Sequence, residues 1–106
     1  MTAPLLIDVV PELVLELERL LIQEDESALA ARVRGLRILA RCRCGDDFCA
    51  SFYTATAPRP DGAFGPDLRT IGLSPHLIVD AIGPDIVQVE VLYRDDLRAR
   101  IHAAVP

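Results

Sequence analysis

Lysine and tryptophan are absent from this chain of 106 residues, and three Phe and two Tyr are its only aromatic residues. Without tryptophan and with so few rings, the hydrophobic core has to be built mainly from Leu, Ile, Val and Ala. Without lysine, the phosphate-binding loop G-x-x-x-x-G-K-[ST] cannot exist. The patterns G-x-G-x-x-G, H-E-x-x-H and G-x-S-x-G are missing as well. We therefore expect a protein that is not an enzyme.

Long hydrophobic runs and a basic surface are also missing. No apolar stretch approaches the roughly 18 residues that span a bilayer, and residues 1–10 lack the pattern of a secretory signal. The formal net charge is −5 at pH 7, whereas nucleic-acid binding needs a basic surface. The sequence predicts a soluble cytoplasmic protein with no nucleic-acid or membrane partner. Its bias toward Ala, Arg, Leu and Asp indicates a GC-rich bacterial genome.

The composition is that of one globular domain, with 51% apolar and 25% charged residues. A chain of this length can bury a single core. We expect one domain, 1–106, of the α+β class. Residues 1–36 are predicted to form a helical hairpin, 37–93 a mostly antiparallel sheet of four to five strands, and 94–106 a short C-terminal helix.

The first third of the chain has the periodicity of two amphipathic helices. From Pro11 onward, apolar residues recur at helical spacing: Val10, Leu13, Val14, Leu17, Leu20 and Leu21. A shorter second helix is predicted to be capped by Asp25 or Ser27 and to stop at Gly35. Two helices joined by a short polar turn are expected to pack antiparallel.

A period of two begins after Leu36 and predicts a first hairpin around the turn at 45–48. The expected cross-strand pairs are Cys44 with Cys49, Cys42 with Ser51, and Ala40 with Tyr53. This register brings the three thiols to one side of the hairpin. Arg41 and Arg43 fall on the other side because successive side chains of a strand alternate.

A second hairpin is predicted around Gly83-Pro84-Asp85, between strands 77–82 and 86–93, and a further strand covers 68–73. Pairing Ile82 with Ile86 places an apolar set on one face: Leu77, Val79, Ala81, Val87, Val89, Val91 and Tyr93. The other face carries polar residues (Asp80, Gln88 and Glu90) and apolar ones (Ile78, Ile82 and Ile86). A homodimer contact on that second face is one alternative.

The candidate site is the C-x-C-x4-C pattern of Cys42, Cys44 and Cys49. Free cysteines often pack as small buried apolar side chains, which is the simplest interpretation. A second is a zinc site, in which three thiolates supply three of four tetrahedral ligands. The fourth ligand would come from His76, His102, Asp46, Asp47 or another subunit. A third is a Cys44–Cys49 disulfide, although an odd cysteine count fits a reducing compartment better. A fourth is a reactive thiol, although no C-x-x-C motif is present.

Three further residues are candidates for binding. Asp46 and Asp47 lie in the turn between the cysteines, where shaping the turn is their simpler role. Phe64 is the one large apolar residue of the Pro- and Gly-rich connection 57–67. It either packs under that connection or makes an exposed contact with a partner.

The run from Cys42 to Thr54, CRCGDDFCASFYT, resembles the signature of a family of small uncharacterised bacterial proteins, a domain of unknown function with a CxCGxxxCxSFYT-like motif. A Pro-Asp-Gly loop and a closing hairpin rich in Val and Glu extend the resemblance over roughly residues 36 to 93. The resemblance implies no activity. We therefore predict a small binding or accessory module with a protein partner or a second copy. The alternatives are a zinc-binding module and a thiol-based redox sensor or enzyme.

Overall fold

The computed structural model describes residues 2–56 and 64–106. The helices are α1 (Leu6–Val9), α2 (Pro11–Gln23), α3 (Ser27–Ala30) and α4 (Asp95–Ala104). The strands are β1 (Ala40–Arg41), β2 (Phe52–Tyr53), β3 (Arg69–Ser74), β4 (Leu77–Ile82) and β5 (Asp85–Val91). The predicted α+β class, with an antiparallel sheet and a C-terminal helix, is confirmed. Most of the predicted connection 57–67 lies outside the described residues.

The helical layer is built on α2, whose first residue is Pro11, at a position where a missing N–H costs no helical hydrogen bond. Its buried residues are Leu13, Val14, Leu17 and Leu21. The predicted second helix is wrong in its extent, because residues 27–35 form only the single turn α3 and a 3-10 turn at Val33–Gly35. Neither Asp25 nor Ser27 caps it, since Glu26 occupies the N-cap position and makes no side-chain cap.

Backbone pairing with the N-terminal segment determines where the helical region ends. The N–H of Leu6 donates to the carbonyl oxygen of Leu36 at 2.9 Å, and the N–H of Ile38 donates to that of Pro4, also at 2.9 Å. Leu5 and Arg37 form an isolated antiparallel bridge. Since these hydrogen bonds require extended backbone, they end the helical conformation before residue 36.

The sheet has the strand order β1-β2-β5-β4-β3, and every neighbouring pair is antiparallel. The predicted pairing of Ala40 with Tyr53 is confirmed. It continues toward the turn, where the N–H of Cys42 donates to the carbonyl oxygen of Ser51 at 2.8 Å. Strands β1 and β2 are shorter than the sequence predicts.

The hairpin of β4 and β5 follows the predicted register along most of its length, as the pairing of Val79 with Val89 shows. An irregularity between Asp80 and Ala81 then shifts the pairing, so that Ile82 faces Asp85 rather than Ile86. The extra residue inverts the alternation of side chains. Ile86 therefore joins the hydrophobic core instead of the outer face.

The core lies between the helices and one face of the sheet. Its fully buried members include Phe52 of β2, Val79 of β4, Val89 of β5, and Leu97 and Ile101 of α4. Burying each such side chain contributes roughly 1.5 to 3 kcal/mol. The opposite face of the sheet is free to carry polar groups and the cysteine hairpin. Within the described residues, no helix has the length and apolar character to cross a bilayer.

Candidate metal centre

The three cysteines converge as the alternation of the first hairpin predicts. The Sγ atoms of Cys42, Cys44 and Cys49 all lie within 4.8 Å of one another, and all three thiols are free. Their exposure is graded: Cys44 is exposed, Cys42 is half-buried, and Cys49 is only 7% exposed. The cluster is therefore open to solvent on the side of Cys44 and closed on the side of Cys49.

A tight reversal of the chain produces this convergence. Gly45 has φ +83°, a left-handed conformation that residues with a Cβ rarely adopt, and it turns the chain directly after Cys44. The turn closes when the N–H of Cys49 donates to the carbonyl oxygen of Asp46 at 3.2 Å. The C-x-C spacing keeps Cys42 and Cys44 on the same side of the extended backbone before the turn.

Ser51 connects the buried thiol to the centre of the sheet. Its Oγ accepts the N–H of Val91 at 2.9 Å, which leaves its own proton available for the sulfur of Cys49. Burial would raise the pKa of Cys49. Hydrogen bonds donated by the hydroxyl and N–H of Ser51 and by the thiols of Cys44 and Cys42 outweigh burial and lower that pKa. Cys49 is thus the cysteine whose surroundings favour the thiolate.

Cys42 has the opposite tendency. Burial, with further contributions from the neighbouring Cys44 and Cys49, raises the pKa of Cys42 to about 11. In the metal-free cluster, Cys49 therefore loses its proton more readily than Cys42 does. Thiolate, not thiol, is the metal ligand, so a cation that binds here must displace the proton of Cys42.

The spacing of the sulfurs suits a tetrahedral thiolate centre. A Zn–S bond of about 2.3 Å places neighbouring sulfurs of a tetrahedron about 3.8 Å apart. Since no pair of Sγ atoms is more than 4.8 Å apart, each pair has to approach by no more than about 1 Å. Rotation about the Cα–Cβ bonds can supply a movement of that size. Soft thiolates select Zn²⁺, Cu⁺ or iron–sulfur chemistry over hard cations.

The fourth ligand expected from the sequence does not join this group. Among the described His, Asp and Glu residues, none contributes a ligand atom to the three-thiol cluster. His76 lies elsewhere, with Nδ1 3.2 Å from the carbonyl oxygen of Leu92 and its ring against Tyr93. Asp46 and Asp47 are exposed in the turn. The pKa of His102 is lowered by burial and by the charges of Arg41, Arg98 and Arg43.

An exposed aromatic pair borders the cysteine turn. The rings of Phe48 and Tyr93 stack with centroids 4.9 Å apart, although 38% of Phe48 and 63% of Tyr93 are exposed. The N–H of Tyr93 donates to the carbonyl oxygen of Phe48 at 2.8 Å. The prediction that Tyr93 lies on the core face is wrong. Strand β5 ends at Val91, and φ +59° at Tyr93 breaks the alternation.

Phe64 does not provide the exposed contact that was one of its two predicted roles. Its side chain is buried, and its ring centroid lies 6.2 Å from that of Tyr53 on the sheet. Phe64 thus packs against the sheet, while residues 57–63 of the predicted connection lie outside the described residues. Burial, followed by the charges of the neighbouring Cys42 and Cys49, raises the pKa of Tyr53, so that ring lies close to the thiol cluster.

A pair of carboxyl groups, with Asp80 buried and Glu90 half-buried, occupies the outer face of the sheet, and the sequence analysis missed it. Asp80 is only 4% exposed and accepts a hydrogen bond from the hydroxyl of Thr70 at 2.7 Å. Burial and the hydrogen bond with Asp80 raise the pKa of Glu90 to about 7. The one signal in the sequence was that Asp80 and Glu90 take diagonal positions on adjacent strands. Alternation by itself predicts that side chains on this face are solvated.

Fold and site together define a small α+β protein with three convergent thiols beside a tight turn. No family model, curated protein or solved structure matches the chain. The resemblance to a bacterial domain of unknown function therefore stays a prediction, and the chemistry of the site is the basis on which a function can be proposed.

Proposed function

We propose that this protein is a non-enzymatic module that binds one thiophilic metal ion, zinc in the first instance, through Cys42, Cys44 and Cys49. The observation that supports it is the convergence of all three Sγ atoms within 4.8 Å. Three thiolates and one divalent cation leave a single negative charge. That charge makes a bound water a weak acid compared with the water of a histidine-ligated zinc, so the site favours binding over hydrolysis.

Ordinary packing accounts for the arrangement less well. A cysteine that serves as a small apolar side chain is expected in the core, yet only Cys49 of the three is buried, and none belongs to the main hydrophobic cluster. Cys44 is exposed, so burial does not explain its position beside the other two. Metal ligation does explain why one exposed, one half-buried and one buried thiol meet at a single point.

The test is a titration of the reduced protein with Zn²⁺ and with Co²⁺, whose charge-transfer absorption reports thiolate ligation. We expect one ion per chain. Cys44→Ser should weaken binding strongly because it removes one thiolate ligand, and it should fold normally because Cys44 is exposed. Asp47→Asn is the matched control in the same turn and should bind as the native protein does. Absence of thiolate-to-cobalt absorption in the native protein would refute the proposal.

We further propose that the module works together with a protein partner, and the exposed stack of Phe48 and Tyr93 favours this second component. Exposed aromatic residues are enriched at protein interfaces. Asp46 and Asp47 precede Phe48 in the chain and are exposed, so a basic segment is the complementary partner. Such a segment would also lie close enough to the cysteine turn to offer the missing fourth ligand.

A titration followed by nuclear magnetic resonance tests the partner proposal. An arginine-rich peptide should shift the amide signals of Phe48 and Tyr93, and an acidic peptide of equal length should not. Phe48→Ala should weaken the interaction. Leu15→Ala, which removes an apolar side chain from α2 that is even more exposed than Phe48, should leave it unchanged. Equal responses to the two peptides would contradict the proposal, and concentration-dependent shifts without peptide would indicate self-association instead.

A further inference from the structure

We infer that Cys44 and Cys49 are a redox-active pair that low-molecular-weight disulfides oxidise. In the metal-free protein they are converted to an intrachain disulfide, and Cys42 is left as a free thiol. The formation of this disulfide is independent of the proposed metal binding. Its effect on metal content rests on that proposed function.

Strand geometry selects this pair from the three that are possible. The observed pairing, with Ala40 opposite Tyr53, ends where Cys42 is hydrogen-bonded to Ser51. Cys44 and Cys49 follow directly on either side of the turn, and extending the same register by two residues sets them opposite each other. Directly opposed residues of an antiparallel pair have Cα atoms about 4.5 to 5.5 Å apart. That separation falls within the range of about 4.4 to 6.8 Å that disulfides accept.

The two alternative pairs fit that range less well. In the extended register Cys42 and Cys49 are diagonal neighbours, which are typically about 7 to 8 Å apart, beyond the separation that a disulfide bridges. Cys42 and Cys44 are two residues apart on one extended segment, which places their Cα atoms about 6.6 Å apart. That distance is at the upper end of the range for a disulfide.

The surroundings of the two sulfurs assign their roles in the exchange. Cys44 is exposed and meets the small-molecule disulfide first, whereas Cys49 is shielded and is reached only from within the cluster. Because the Sγ atoms of the two cysteines lie within 4.8 Å of each other, Cys49 is placed for the second attack, on the sulfur of Cys44.

The reaction balances in two exchange steps. The thiolate of Cys44 attacks one sulfur of the disulfide RSSR, which forms a mixed disulfide and releases RS⁻. The thiolate of Cys49 then attacks the Sγ of Cys44, forms the intrachain S–S bond and releases the second RS⁻. The two protons of the cysteine thiols end on the two leaving thiolates. The cysteines lose two electrons and RSSR gains them, giving two RSH.

Oxidation and metal binding are then mutually exclusive, because a disulfide removes two of the three sulfur ligands. When the metal occupies the site, all three thiolates are coordinated and unavailable for exchange. At a free Zn²⁺ concentration about 100 times the dissociation constant, only about 1% of the chains carry free thiols. The rate of disulfide formation should therefore fall about 100-fold under that condition.

The experiment incubates the metal-free protein with oxidised glutathione and follows intact mass and disulfide-linked peptides. We expect a loss of two hydrogen atoms, a peptide pair joined through Cys44 and Cys49, and an alkylatable Cys42. The Cys42→Ser variant should form the same bridge, whereas Cys44→Ser should form no intrachain bridge. A bridge to Cys42 in the native protein, or a stable mixed disulfide as the only product, would overturn the inference.

Repeating the reaction with Zn²⁺ separates this inference from the proposed function. A native protein that binds zinc and yet oxidises at the same rate with and without it would overturn the link between the two. A native protein that binds no zinc but forms the Cys44–Cys49 bridge would refute the proposed metal function and support the redox-active pair.

Discussion

Replacing Glu90 by Gln should remove a loss of stability that the native protein undergoes as the pH rises. In the folded protein, burial and the hydrogen bond with Asp80 raise the pKa of Glu90 from 4.5 to about 7. Protonated Glu90 donates to the Asp80 carboxylate, and Thr70 donates to the same carboxylate from the other side. Ionised Glu90 would instead place two negative charges together on a partly buried sheet face.

The sign and the size follow from proton linkage. Between pH 4.5 and about 7 the folded state holds more protons on Glu90 than the unfolded state does, so the free energy of unfolding falls as the pH rises. The full stabilisation is present below pH 4.5 and is lost as the pH passes about 7. The shift of the pKa corresponds to roughly 3 kcal/mol. Because Glu90 retains some contact with solvent, we expect about 1 to 2 kcal/mol.

Urea unfolding of reduced, metal-free protein at pH 5 and pH 8 measures this effect. The Glu90→Gln variant keeps an amide donor for Asp80 but does not titrate, so its stability relative to the native protein should rise by about 1 to 2 kcal/mol between the two pH values. Glu24→Gln, at an exposed position, is the control and should show no such change. Parallel stability profiles of the native protein and Glu90→Gln would refute the reasoning.

Three further predictions concern the core and the thiols. Phe52→Ala should cost about 3 to 5 kcal/mol in urea unfolding because Phe52 is fully buried, and Phe48→Ala should cost under about 1.5 kcal/mol; equal losses would contradict the described core. Ser51→Ala should lower the free energy of unfolding by about 1 to 3 kcal/mol. It should also raise the pKa of Cys49, which thiolate absorbance during a pH titration reports, and an unchanged pKa would contradict the role of Ser51. Zinc binding at neutral pH should release at least one proton, because the pKa of Cys42 is about 11; calorimetry in buffers of different ionisation enthalpy measures it, and no release would count against Cys42 as a ligand.

Local periodicity explains what could be predicted from the sequence. The period of two along residues 38–44 and the turn at Gly45 are local features, and together they determine that three thiols reach one side of the hairpin. The observed pairing of Ala40 with Tyr53 follows from the same rule. The apolar stripe of α2 is equally local, because it depends only on spacing within a single helix.

The remaining features depend on contacts between distant parts of the chain. The hydrogen bonds of Leu36 and Ile38 with the N-terminal segment end the helical region before residue 36, and no pattern within residues 27–36 indicates them. The shift in pairing between Asp80 and Ala81 moves the side chain of Ile86 from the outer face of the sheet into the core. The contact between Asp80 and Glu90 joins side chains of two different strands, and only Asp80 of the two is buried. Neither propensity nor alternation contains this information.

X-ray absorption at the zinc edge of the loaded native protein tests the central claim most directly, because it counts the atoms bound to the metal. We predict three sulfur ligands at about 2.3 Å and one lighter atom in the fourth position. The Cys44→Ser variant, if it retains any zinc, should show one sulfur fewer. A shell of nitrogen and oxygen alone in the native protein would contradict a metal centre formed by Cys42, Cys44 and Cys49.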